Sequence, residues 1–160
     1  MTSVRDILIV AVILFAVGIT VVFAVDIGHR VNSNLLTVPV MANNSNAVSV
    51  INNSDAAINQ TDYIYLALFI AFFLSIVIAG WLVGGVPIAA PIYFFVVVIF
   101  GFVAVILQSV WGDIAANSQV FNATLNMPIT SFILSHLGYF TVIFGLVGIL
   151  VMFAKPNERM

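Results

Sequence analysis

Apolar runs alternate with polar stretches along this chain, and the runs are long. They cover residues 7–25, 63–83, 88–111 and 129–154. A helix needs about 20 apolar residues to cross a bilayer core of roughly 30 Å. Residues 63–83 carry only Tyr63, Tyr65 and Ser75 as polar side chains, and residues 88–107 carry only the Tyr93 phenol. A helix on the surface of a water-soluble domain keeps a polar face over such a length. The pattern predicts an all-α integral membrane protein, a single bundle of four transmembrane helices. The turn Gly84-Gly85-Val86-Pro87 makes the second and third spans an antiparallel hairpin. Pro87 and Pro91 suit the first turn of the third span, where a missing N–H costs little. Asp62 suits the N-cap of the second span, where its charge meets the positive end of the helix dipole.

Two polar stretches, residues 26–61 and 112–128, are read as extracytoplasmic loops. Loops longer than about 12–15 residues usually carry structure or function. Residues 35–41 and 47–51 have strand-like composition on either side of Asn43-Asn44-Ser45-Asn46. They predict a small β-hairpin, with Pro39 keeping its first arm at an edge. In the second loop, Ile114, Phe121 and Leu125 are expected to share one face of a short interfacial helix. Trp111 and Trp81 are expected as interfacial anchors near opposite ends of the bundle.

Small residues recur at helical spacing in three spans. Ala67, Ala71, Ser75 and Ala79 repeat every four residues, as do Ala16, Thr20 and Ala24. Ser131, Gly138 and Gly145 repeat every seven, with Thr141 and Gly148 beside them. In lipid, helices associate through close van der Waals packing, which small side chains permit. These stripes are expected at helix–helix contacts, within the chain or with a partner subunit.

Composition sharpens the class. The chain has 160 residues, 63% hydrophobic and 6% charged, as integral membrane proteins do. Four basic side chains against six acidic ones form no polybasic patch, so no nucleic-acid partner is expected. The absence of cysteine removes disulfides, thiolate nucleophiles, cysteine zinc sites and iron–sulfur clusters. Arg5, Lys155 and Arg159 flank the chain ends, while Arg30 alone lies on the loop side. That asymmetry places both termini in the cytoplasm and both long loops outside, with the plasma membrane as the expected location. Residues 31–54 contain no ionisable side chain. A surface of amides and hydroxyls keeps its charge state in acid, which suits an acidic or harsh exterior. Acceptor sequons for N-glycosylation begin at Asn43, Asn52, Asn59 and Asn122, all in these loops.

Candidate chemistry is sparse. Asp26 and Arg30 are four apart and pair if the first helix continues past residue 25. His29 beside them reads as a solvated interfacial histidine, against a sharper reading as a proton-handling or metal site with Asp26. His136 is the one ionisable residue well inside a span, which makes it a functional candidate. Gln108 reaches a similar depth, so a His136–Gln108 hydrogen bond between helices is expected. The pair is also a candidate contact for a quinone or lipid. No cofactor, metal or catalytic residue is expected, because Ser131, Ser135 and His136 have no acid beside them. No acid lies inside a span, so an ion path is poorly supported.

The leading expectation is a non-catalytic accessory or structural subunit of a larger membrane complex, with a respiratory or energy-transducing host preferred. Its partners would be the bilayer and other integral membrane subunits. The alternatives are a structural protein of a lipid-containing envelope or virion membrane, and a small transporter or channel passing His136.

Overall fold

The computed structural model describes residues 4–83 and 89–154, with side chains for all of them except 4–11, 79, 83, 89, 90 and 119. The expected turn at 84–87 lies outside the described residues, as do Lys155 and Arg159 and the side chain of Arg5. In chain order the helices are α1 (Val4–Thr37), α2 (Pro39–Ala42), α3 (Ser45–Asn59), α4 (Thr61–Val83), α5 (Ala89–Ala115), α6 (Ser118–Asn126), α7 (Pro128–Ser135) and α8 (Leu137–Ala154). Four helical stretches, in α1, α3–α4, α5 and α8, are long and apolar enough to cross a membrane. No strand occurs among the described residues.

The expected β-hairpin is therefore corrected to helix. α1 does not stop at residue 25 but runs for 34 residues. At 1.5 Å per residue that is about 51 Å, some 20 Å more than the bilayer core. Its buried or half-buried positions Gly18, Val22, Val25, His29, Asn32 and Leu36 alternate three and four apart. The returning helices show the same rhythm at Val48, Ile51, Asp55, Ile58, Asp62, Tyr65 and Phe69. Such spacing keeps one seam facing a partner helix. β-branched composition favours strand locally, but the seam between α1 and α3 buries a helical face, and tertiary packing overrides the weaker local preference. Asn44 starts α3 by accepting from the N–H groups of Asn46 at 3.0 Å and Ala47 at 3.3 Å. At Gly28, an added Cβ would stand 2.7 Å from Cδ1 of the Ile58 side chain, so α3 packs directly over this position.

Within the bundle, α8 packs along both α5 and α4. Its small-residue stripe lies in these contacts. Gly138, Gly145 and Gly148 are buried and Thr141 is half-buried, while Ser131, expected in the same stripe, is half-buried on α7. Gly138 faces Val105 and Gln108, Gly145 faces Val97, and Gly148 faces Tyr93. A Cβ on Gly80 of α4 would stand 3.0 Å from the carbonyl oxygen of Gly148, so backbone meets backbone there. Farther along the same pair, Phe69, Phe73, Phe140 and Phe144 interlock, with ring centroids 4.2 Å apart for Phe73–Phe144 and 5.1 Å for Phe69–Phe140.

The end of the bundle that carries α2, α3 and α6, called the loop end below, holds most of the core. Trp111, Tyr65, Met127, Leu134, Val22 and Thr130 are its largest fully buried side chains. Trp111 is thus a core residue and not an interfacial anchor, with 1% of its surface exposed, while Trp81 is half exposed. The face expected for the second loop also changes. α6 turns Val120 and Ala123 inward and leaves Phe121 and Leu125 outside. Ile114 belongs to α5 and packs against the core, apart from those two.

Candidate functional site

Polar side chains gather at the loop end in two groups. The first fastens α7. Pro128 sits at the first turn of that helix, and Met127 before it offers no side-chain cap. Asp62 supplies one from α4 instead. Its Oδ2 accepts from the Ile129 N–H at 3.0 Å, and its Oδ1 accepts from the Thr130 N–H and hydroxyl, each at 2.7 Å. A carboxylate at a helix N-terminus satisfies N–H groups that have no intrahelical partner and meets the positive end of the dipole. Asp62 is 4% exposed and lies inside α4, so it caps a neighbouring helix and not its own.

The last span is broken at His136, which ends α7 with φ −120° and ψ 18°. The break releases the Gly138 N–H, which donates to Gln108 Oε1 of α5 at 3.1 Å. One residue before the break, Ser135 Oγ accepts from Trp111 Nε1 at 3.2 Å. Gln108 and Trp111 are three apart on one face of α5, so a single stretch of that helix supports both sides of the break. The expected His136–Gln108 bond is absent. His136 Nδ1 donates instead to the Phe132 carbonyl at 2.9 Å, and its ring lies over Phe132 with centroids 4.4 Å apart. Phe132 and Tyr139 are both more than half exposed, so His136 belongs to an aromatic face on the outside of the bundle.

The second group locks α1 to α3. Asp26 and Arg30 pair at 2.9 Å, as their spacing predicts. His29 joins Asp55 of α3 and not Asp26, with Nδ1 3.1 Å from Oδ1. Asn32, 6% exposed, donates to Asp55 Oδ1 at 2.7 Å and to Ser54 Oγ at 3.3 Å. His29, Asn32 and Asp55 occupy the same seam that is apolar inside the bundle. A polar group at one seam position fixes register, because any slip leaves it buried without a partner. Asp55 and Asn32 carry no catalytic or metal motif, and the signal that finds them is their place in the three-and-four spacing.

Together these groups can hold helices in register. No cluster of three or more His, Cys, Asp or Glu side chains suited to a metal forms among the described residues. Asn43, Asn52, Asn59 and Asn122 are all exposed. Asn43 follows α2 in a turn, whereas the other three lie in α3 and α6. No known protein family, curated protein or solved structure matches this chain.

Proposed function

We propose that this protein is a non-catalytic subunit of a larger membrane assembly, packed against its neighbours through α1 and α4. The observation that carries this reading is where two of the small-residue stripes point. Ala16, Thr20 and Ala24 of α1 are exposed, on the face opposite Gly18, Val22 and Val25. Ala67, Ala71 and Ser75 of α4 are exposed, on the face opposite Tyr65, Phe69 and Ile76; the Ala79 side chain lies outside the described residues. The polar members of both stripes are satisfied within their own helices. Thr20 donates to the Ala16 carbonyl at 2.8 Å and Ser75 to the Phe72 carbonyl at 2.6 Å. Both faces therefore offer close approach to another helix without an unmet hydroxyl.

In this reading both termini are cytoplasmic, the α1–α3 projection, whose residues 31–54 have no ionisable side chain, lies outside, and the host is an energy-transducing complex. Purification from native membranes in a gentle detergent tests it, with mass spectrometry of everything that co-migrates. Redox or transport subunits at a fixed ratio are expected, and Ala71→Leu with Ser75→Leu should release them. A chain that purifies alone, or keeps its partners with both changes, would overturn the proposal. Coat proteins in regular array would move the assignment to an envelope.

A further inference from the structure

An apolar cleft runs between α4, α5 and α8, walled by Phe72 and Ile76, by Val96 and Phe100, and by Phe140 and Phe144. Its length is set by α5, from Tyr93 to Leu107. Those 14 steps span about 21 Å along the helix axis, somewhat more than the roughly 15 Å of one leaflet's hydrocarbon. Leu14 of α1 and Leu137 of α8 line it near Leu107, toward the loop end. Its cavity volume is about 50 Å³, and the empty space between its walls, open flank included, is about 710 Å³.

Two residues that bear hydroxyls, Tyr93 and Thr141, line this cleft. Thr141 is satisfied, donating to the Leu137 carbonyl at 2.8 Å. The Tyr93 hydroxyl has no hydrogen-bond partner among the described residues, although its oxygen rests against Gly148. Nor is that oxygen sealed off, since the only fully buried unpartnered side-chain atom is His29 Nε2 among the described residues. Tyr93 lies at the end of the cleft away from the loop end, 14 residues before Leu107 along α5. An unmet O–H donor in an apolar wall calls for an acceptor.

We infer that this cleft holds one acyl chain of a membrane lipid, with the Tyr93 hydroxyl donating to the oxygen that links the chain to glycerol. The chain lies along the helix axes, as lipid chains lie in a leaflet. The acceptor stands at one end and hydrocarbon fills the rest, which matches the single unmet donor and the aromatic walls. This goes beyond the assembly role and does not depend on it.

The test uses the full chain in nanodiscs of palmitoyl-oleoyl-phosphatidylglycerol, with native mass spectrometry after the surrounding lipids are released. One lipid should stay bound per chain. Tyr93→Phe removes a single oxygen and should lower the retained fraction about fivefold, as loss of one net hydrogen bond does. Ala104→Phe places a ring in the cleft and should abolish retention, while Thr141→Val should leave it unchanged. No retained lipid in the parent chain, or equal retention in Tyr93→Phe, would overturn the inference. So would displacement of the phospholipid by a long-chain quinone added at equal amount, which would give the cleft a different occupant.

Discussion

Asp62 of α4 and Thr130 of α7 are joined by two hydrogen bonds of 2.7 Å, both into Asp62 Oδ1. The pair fixes where the last span begins relative to the second. Truncating the acid leaves the buried N–H and hydroxyl of Thr130 and the half-buried N–H of Ile129 unmet. Asp62→Ala should cost about 3 kcal/mol, and Asp62→Asn, which keeps one acceptor oxygen, about half of that. Reversible unfolding in mixed detergent micelles reads both. Parent-like stability in Asp62→Ala would mean that α7 is held by packing alone.

Two glycines predict opposite outcomes from the same substitution. At Gly80 a Cβ would stand 3.0 Å from a backbone oxygen of Gly148, and no rotamer change can move that atom. Gly80→Ala should separate α4 from α8 and cost about 1–3 kcal/mol. Gly112, within α5, has nothing within 4 Å of the same position. Gly112→Ala should stabilise by roughly 0.5–1 kcal/mol through helix propensity. The same unfolding assay compares them, and a shared sign would refute the packing account of Gly80.

The two tryptophans should answer differently to lipid. Trp111 is 1% exposed and Trp81 is 50% exposed. In bilayers of brominated phospholipid, Trp81→Phe should leave emission that is largely unquenched, and Trp111→Phe should leave emission that is strongly quenched. Equal quenching of the two would place Trp111 at the lipid surface. Trp111→Phe also removes the bond to Ser135 and should cost about 1 kcal/mol.

The helical form of α3 separates two secondary structures for one stretch. Asn53→Pro removes a backbone donor from the middle of that helix and should cost about 3 kcal/mol, with lower helicity by circular dichroism. Asn44→Ala, at its N-cap, should cost about 1 kcal/mol. A β-hairpin in this stretch would keep its far-ultraviolet spectrum with either change.

Asp55 accepts from Asn32, so the two should couple. Asp55→Ala leaves the buried Asn32 amide only its longer bond to Ser54 Oγ, at a cost of about 2 kcal/mol. In a double-mutant cycle with Asn32→Ala, about 1 kcal/mol of that loss should disappear. Strict additivity would remove the register role assigned to this pair.

The four candidate spans were legible because their signal is additive. Some twenty apolar residues in a row specify a membrane-crossing helix whatever surrounds them. The glycine and threonine stripe of α8 was legible for a similar reason, since small side chains at one helical face allow only close approach. The Asp26–Arg30 pair followed from helix geometry alone. His136 was legible as unusual, but its partner was not. A ring at a helix break can bond back to the carbonyl one turn earlier, at Phe132, and no spacing rule reveals that the span breaks at His136.

Apolar length and small-residue period by themselves determined the all-helical class, the number of candidate spans and the stripe between α8 and α5. Tertiary structure decided the rest. It made a helix of Ser45–Asn59, because a seam against α1 outweighs β-branched composition. It turned Asp62 from a cap on its own helix into a cap on α7, and made Gln108 the partner of Gly138. Each of these is a polar group satisfied at long range. Burial makes an unmet donor or acceptor costly, so the choice of partner belongs to whichever helix end comes within reach.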